Sequence, residues 1–208
     1  MPAWKWIVRT SLPFALSFAA AVVAPPLLAQ EKPAPSPSPS QSSQTPAAPA
    51  APQSPAANPG DVKSPDAILA AVYDVISGPA GKPRDWNRFR SLFVPGARLI
   101  PVVDRKDQPL ATHAFTPDEY VERADPYFQK EGFYEKEAAR KQHAYANIYE
   151  AFSTYESRHA ADDEKPFARG INSFQLFNDG SRWWIVTIYW QQESPEHPLP
   201  AEFLPAAK

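Results

Sequence analysis

The chain has 208 residues, with 21 Lys+Arg against 23 Asp+Glu, a formal net charge of −2 and no cysteine. A mildly acidic chain with no basic run excludes a nucleic-acid surface. The lack of cysteine excludes disulfides, so a fold must be held by its own apolar core, for which six Trp, eight Tyr and 12 Phe are available.

Residues 1–29 carry Lys5 and Arg9, no acidic residue, and an apolar run from Ser11 to Ala29. A basic start, an apolar middle and a small residue before a polar one make a secretory signal peptide, cut after Ala29. Pro13, Pro25 and Pro26 break the run, whereas a membrane-spanning helix needs about 20 ordered apolar residues. The chain is therefore expected to meet the membrane only transiently and to end up periplasmic or secreted. With no cysteine near the cut, a lipoprotein anchor is excluded. Losing Lys5 and Arg9 would leave 19 basic against 23 acidic residues, near −4. Residues 30–65 hold ten prolines and no Ile, Leu, Phe, Tyr or Trp. Such a segment buries too little to offset the entropy of ordering, and it reads as a disordered Pro/Ala/Ser-rich linker.

Globular sequence is expected from about residue 66. Ile68, Leu69, Val72, Tyr73, Val75 and Ile76 recur with helical period before Gly78-Pro79. Trp86, Phe89 and Phe93 predict a second helix over 85–93, stopped by Pro95-Gly96. Short strands are expected at 97–103 and 110–115. Thr116-Pro117-Asp118-Glu119 is a capping box with proline at the first helical position, and that third helix should end near Asp125, before Pro126. Strands follow at 133–142 and 144–158, a charged loop at 160–166, then strands at 167–178 and 182–191 around Asn178-Asp179-Gly180-Ser181. Residues 193–208 read as an irregular tail.

This order resembles the nuclear transport factor 2-like (SnoaL-like) superfamily, and in particular its small bacterial members. RDWNRFRSLFVPGARL on the second helix, GFYEKE opening the third strand, and FSTYESRH followed by FARGINSFQLFNDGSRWWIV carry the resemblance, over residues 66–192. It implies an α+β fold, a cone-shaped curved antiparallel sheet packed on three helices, with a pocket between them (the nuclear transport factor 2-like or cystatin-like roll). It implies no single activity, since isomerases, dehydratases, cyclases and non-catalytic binding or dimerisation modules share the fold.

Strand alternation assigns faces. If the last hairpin closes at Asp179-Gly180, Leu176 faces Trp183, Phe174 faces Ile185, Asn172 faces Thr187 and Gly170 faces Tyr189 on one uncharged face. Arg169, Ile171, Trp184, Val186, Ile188 and Trp190 then share the outer face, as a homodimer interface would. Setting Glu156 opposite Arg169 puts Tyr149, Ala151, Ser153 and Tyr155 inside. The expected site is an uncharged pocket lined by Tyr149, Tyr155, Asn172 and Tyr189 and bounded by Trp86 and Phe89, taking a small apolar ligand. Each of those residues is also an ordinary core group with its polar atom satisfied.

Catalytic patterns are sparse. His113, His143, His159 and His197 are isolated, no zinc motif, GxSxG or Gly-rich phosphate loop is present, and no cofactor is implied. An isomerase of this fold needs an acid in the pocket, and the inner faces of the last two strands have none. Glu135 and Glu137 alternate with Tyr134 and Lys136 like an exposed ladder of charges, which leaves Asp74 as the acid to consider. No catalytic residue is assigned. The expected function is an exported small-molecule-binding module, with an isomerase or dehydratase, or an interaction and dimerisation domain, as alternatives. A buried acid beside a tyrosine in an open cavity would favour the isomerase.

Overall fold

The computed structural model describes residues 54–105 and 108–206, so the leader and residues 30–53 of the linker lie outside the described residues. Each α-helix starts on a side-chain cap. Asn58 serves α1 (Pro59–Val62), Ser64 serves α2 (Pro65–Ile76) and Asp85 serves α3 (Trp86–Ser91). Thr116 and Glu119 form the reciprocal capping box of α4 (Pro117–Phe128). The far end of α2 is closed by Arg84, a buried guanidinium that donates to Ile76 O at 2.9 Å and Gly78 O at 2.7 Å. The otherwise orphaned carbonyls at the helix end are satisfied this way.

Six strands make one sheet: β1 (Phe93–Val103), β2 (Ala111–Thr112), β3 (Tyr134–Tyr145), β4 (Ile148–Arg158), β5 (Ala168–Asn178) and β6 (Trp183–Gln192). Their order is β2-β1-β6-β5-β4-β3, antiparallel except where β1 runs parallel to β6. Helix α2 touches both β3 and β6. In a flat sheet those strands would lie roughly 14 Å apart, three strand spacings, so the sheet curls round the helix. The core fills the curl with Ile68, Leu69 and Val72 of α2, Phe89 and Phe128 of the neighbouring helices, and Phe174, Leu176 and Ile185 of the sheet. Burying each large apolar side chain is worth about 1.5–3 kcal/mol.

Several boundaries differ from the sequence expectation, each for a local reason. Order begins inside the expected linker, because Val62 of α1 is buried and Asp61 pairs with Arg88 at 2.8 Å. Pro95-Gly96 does not end a segment but sits in β1, where the ladder to β6 breaks between Phe93 and Arg98. The second expected strand shrinks to Ala111–Thr112 plus an isolated bridge from Phe115 to Leu99. Pro126 lies within the last turn of α4, which continues through a Gln129 N to Asp125 O bond of 3.0 Å, so its missing N–H costs one bond rather than the turn.

The β5–β6 register is the difference that matters for function. Asp179 closes a wide turn, its Oδ1 accepting from Ser181 N at 2.7 Å and Arg182 N at 2.9 Å. Leu176 therefore faces Ile185, and a bulge then sets Phe174 against Ile188, Asn172 against Trp190 and Gly170 against Gln192. Ile188 and Trp190 turn inward, Trp190 meeting Tyr120 edge-on at 6.5 Å. Thr187 and Tyr189 go to the outer face. The tail also has structure: a turn at Ala201–Phe203 lies against β4, with Phe203 on Phe152 at 5.7 Å.

Candidate functional site

A cleft of about 480 Å³ opens between α2 and β3. Leu69, Ala70 and Tyr73 give it an apolar side, and Asp66, Asp74, Glu135, Glu137, Lys136, Arg140 and Arg158 make it charged. The expected uncharged pocket is therefore overturned. The reason is a β-bulge. Between Glu137 and Ala139 the β3–β4 ladder shifts by one residue, so that Glu135 faces Ser157, Glu137 faces Tyr155 and Arg140 faces Ser153. Without Ala138 as an extra residue, Arg140 would share a face with Lys136; with it, both glutamates and the arginine line the inner wall.

Behind that wall the polar groups form one connected set. Ser157 Oγ donates to Glu135 Oε2 at 2.7 Å, and Asn172 Nδ2 donates to Glu135 Oε1 at 3.4 Å and to the Tyr73 hydroxyl at 3.1 Å. The Tyr73 hydroxyl lies 2.7 Å from Ser153 Oγ, and Ser153 in turn donates to Glu137. Since the Asn172 amide and the Ser153 hydroxyl have both committed their protons, the Tyr73 proton goes to Ser153. Arg140 closes the set, holding Glu137 through Nε and Nη2 at 2.9 and 2.7 Å and Asp66 through Nη1 at 2.6 Å. Tyr149 accepts from Arg140 at 3.1 Å and donates to Gln142.

Electrostatics separates the groups. Burial pushes the Glu135 carboxyl up to about 7, against the opposing pull of its bonds from Ser157 and Asn172. Burial, then the neighbouring Glu135 charge, raises Tyr73, Tyr120 and Tyr155 well above the ordinary tyrosine value, so all three stay protonated. Burial by itself would lower Arg140, but Glu137, Tyr149 and Asp66 outweigh it and hold it charged. A carboxyl that exchanges its proton near neutrality, ringed by neutral hydroxyls, can act as a general acid or base.

The expected site residues part company here. Asn172 belongs to the network, Tyr149 flanks it, and Tyr155 is buried on the same inner face, its hydroxyl crowding the space where a Gly170 side chain would stand. Trp86 and Phe89 are away from the cleft, Trp86 donating to Asp125 at 2.8 Å and Phe89 stacking on Tyr120 at 5.3 Å. Tyr189 is 46% exposed on the opposite face. Asp74 reaches the cleft rim as an exposed partner of Arg88 at 2.5 Å. Among the described residues no cluster of three or more His, Cys, Asp or Glu could hold a metal.

Glu135 is the residue that sequence reasoning missed. The signal was the excess of buried donors: Tyr73, Ser153, Ser157 and Asn172 all require acceptors, and β3 offers two carboxylates opposite them.

The curled sheet and the helices held in its curve are what the sequence resemblance implied. The fold is α+β, a mostly antiparallel curled sheet packed on helices. No protein-family model and no curated protein matches the chain. Among solved structures, it is similar to a protein with a cystatin-like fold from Caulobacter vibrioides, at 12% identity and TM-score 0.47, over 63% of this chain and 88% of that one. It is similar to a candidate ketosteroid isomerase from Parabacteroides distasonis, at 10% identity and TM-score 0.44, over 64% and 89%. It is also similar to a nuclear transport factor 2-like protein of unknown function from Pseudomonas putida, at 14% identity and TM-score 0.43, over 67% and 87%. Likenesses this distant carry neither a family nor a chemistry to this chain.

Proposed function

We propose that the nuclear transport factor 2-like domain is a small-molecule proton-transfer enzyme of the isomerase or dehydratase kind, with Glu135 as its base. The carrying observation is a desolvated carboxyl on the wall of an open cleft, hydrogen-bonded by Ser157 and Asn172 and surrounded by neutral tyrosines. Glu137, neutralised by Arg140 and bonded by Ser153, leaves Glu135 as the group free to exchange a proton. The alternative of a binding module without chemistry gives the same cleft a ligand but no use for a carboxyl poised near neutrality. Residues 1–29, read as a leader, place this activity outside the cytoplasm in the same proposal.

The test is hydrogen–deuterium exchange at carbon next to a carbonyl, followed by NMR on a panel of small ketones and aldehydes. The rate should rise with pH through about 7, as the base ionises, and Glu135→Gln should lose about 10²–10⁴-fold, the usual contribution of a general base. An exchange rate equal in Glu135→Gln and the unaltered protein would sink the proposal.

A further inference from the structure

The two oxygens of the Glu135 carboxyl are served unequally. Oε2 accepts from Ser157 Oγ at 2.7 Å, a short bond from the hydroxyl of the facing residue on β4. Oε1 has only the Asn172 amide, at 3.4 Å, and that amide is nearer to the Tyr73 hydroxyl, at 3.1 Å. Ser157 is 2% exposed, and among the described residues its hydroxyl has no hydrogen-bond partner other than Glu135. The serine proton thus has a single acceptor, and turning it away would leave a buried donor unpaired.

This asymmetry decides where a proton on the carboxyl can sit. On Oε2 it would point at Ser157 Oγ and turn the serine proton away to where no acceptor stands. On Oε1 it leaves the bond from Ser157 intact, because Oε2 is then the carbonyl oxygen and still accepts. The other groups around the carboxyl do not compete for that proton. Tyr73 from α2, Tyr120 from α4 and Tyr155 from β4 are neutral, and the Tyr73 proton is committed to Ser153. Glu137, the neighbouring acid on β3, is held by Arg140 at 2.7 Å, while Asp66 and Asp74 on the rim are held by Arg140 and Arg88. Lys136 and Arg158 alternate to the other side of their strands, where Arg158 holds Glu156 at 2.9 Å.

We propose that Ser157 is the positioning residue of the site: it holds Oε2 of Glu135 in both protonation states, and the proton that Glu135 exchanges is carried on Oε1. The inference rests on the reading of Glu135 as the base and names the oxygen that serves it. Asn172, with its long bond to Oε1 and its shorter one to Tyr73, steadies the tyrosine more than the carboxyl.

The full chain, isotope-labelled at its glutamate carboxyls, is titrated by NMR, with Glu135 assigned by the signal missing in Glu135→Gln. Ser157→Ala should move the Glu135 midpoint up from about 7 by about one pH unit, a roughly tenfold weaker acid, since the ionised form loses its best donor. Ser157→Thr, which keeps the hydroxyl, should return it, and Asn172→Leu should move it less than Ser157→Ala does. In the infrared, the C=O stretch of the protonated acid should rise in Ser157→Ala, because its carbonyl oxygen Oε2 loses a hydrogen bond. A midpoint unmoved in Ser157→Ala, a larger movement in Asn172→Leu, or an unchanged stretch would overturn the assignment. If Asn172→Leu does not fold, the alanine and threonine variants decide it alone. Hydrogen–deuterium exchange at carbon should follow the NMR midpoints. If exchange is absent from every protein while the midpoints move as stated, the role of Ser157 stands and the catalytic reading alone falls.

Discussion

Glu135 shows how one residue can be legible in type and illegible in place. The sequence has it alternating with Tyr134 and Lys136, a pattern equally suited to a solvated edge and to an inner wall. Periodicity fixes which residues share a face, not which face is buried, and the choice was made by the donors on β4 and β5. The consequence is measurable as stability. The carboxyl is raised from the ordinary glutamate value near 4.5 to about 7, so between those pH values the folded chain keeps a proton that the unfolded chain releases. Stability contributed by the protonated form is full below about 4.5 and is lost as pH rises to about 7. At about 1.36 kcal/mol per unit, the loss approaches roughly 3 kcal/mol. Urea denaturation from pH 4.5 to 8 should show this decline, and Glu135→Gln should flatten it and be the more stable protein at pH 8. A decline identical in both would assign the pH dependence to other groups. Functional acids commonly cost stability in this way.

At the level of elements, the long apolar periods and the caps were readable, and the bulges were not. Helix α2 follows its apolar period, α4 starts on its capping box, and Glu156 does stand opposite Arg169. What failed was phase: one extra residue at Ala138 and another in β6 each exchange inside for outside over the rest of the strand. A bulge has no strong composition of its own, because its benefit comes from the partner strand. Gly170 marks one place where the partner leaves its trace in the sequence. A Cβ there would lie 2.3 Å from the carbonyl oxygen of Gln191 and 2.6 Å from the Tyr155 hydroxyl. Backbone cannot swing aside as a flexible side chain can, so Gly170→Ala should lower stability by about 3 kcal/mol or more, within the range of overpacked cores. Thermal unfolding tests it. A midpoint within a degree of the unaltered protein would mean that β5 and β6 separate there at little cost.

At the scale of the whole molecule, the corrected register changes which surface is offered to a partner. Ile188 and Trp190, expected outside, are packed inside, so the outer stripe is built from other residues. Ile148, Phe177 and Trp184 form one cross-strand row, and Phe152, Ser173 and Tyr189 form another. Of these Ile148 is 60% exposed and Phe152, Phe177 and Tyr189 at least 40%. Arg182 stacked over Trp184 at 3.6 Å, with the Trp184 indole N–H on Asp179 at 2.7 Å, holds one end of the stripe rigid. The tail shields only part of it, through Phe203 on Phe152. The row Glu150, Gln175 and Thr187 separates the two apolar rows, and Glu150 pairs with His143 at 2.9 Å. Two exposed apolar rows on one sheet face are self-complementary under a two-fold axis, and exposed apolar patches are usually interfaces. The expected outcome is a homodimer at micromolar concentration by light scattering, converted to monomer by Phe177→Glu with the fold intact by circular dichroism. Because Phe177 is on the face away from the cleft, proton exchange should persist in that monomer. A wild-type monomer would remove self-association and leave the stripe to a partner of another kind.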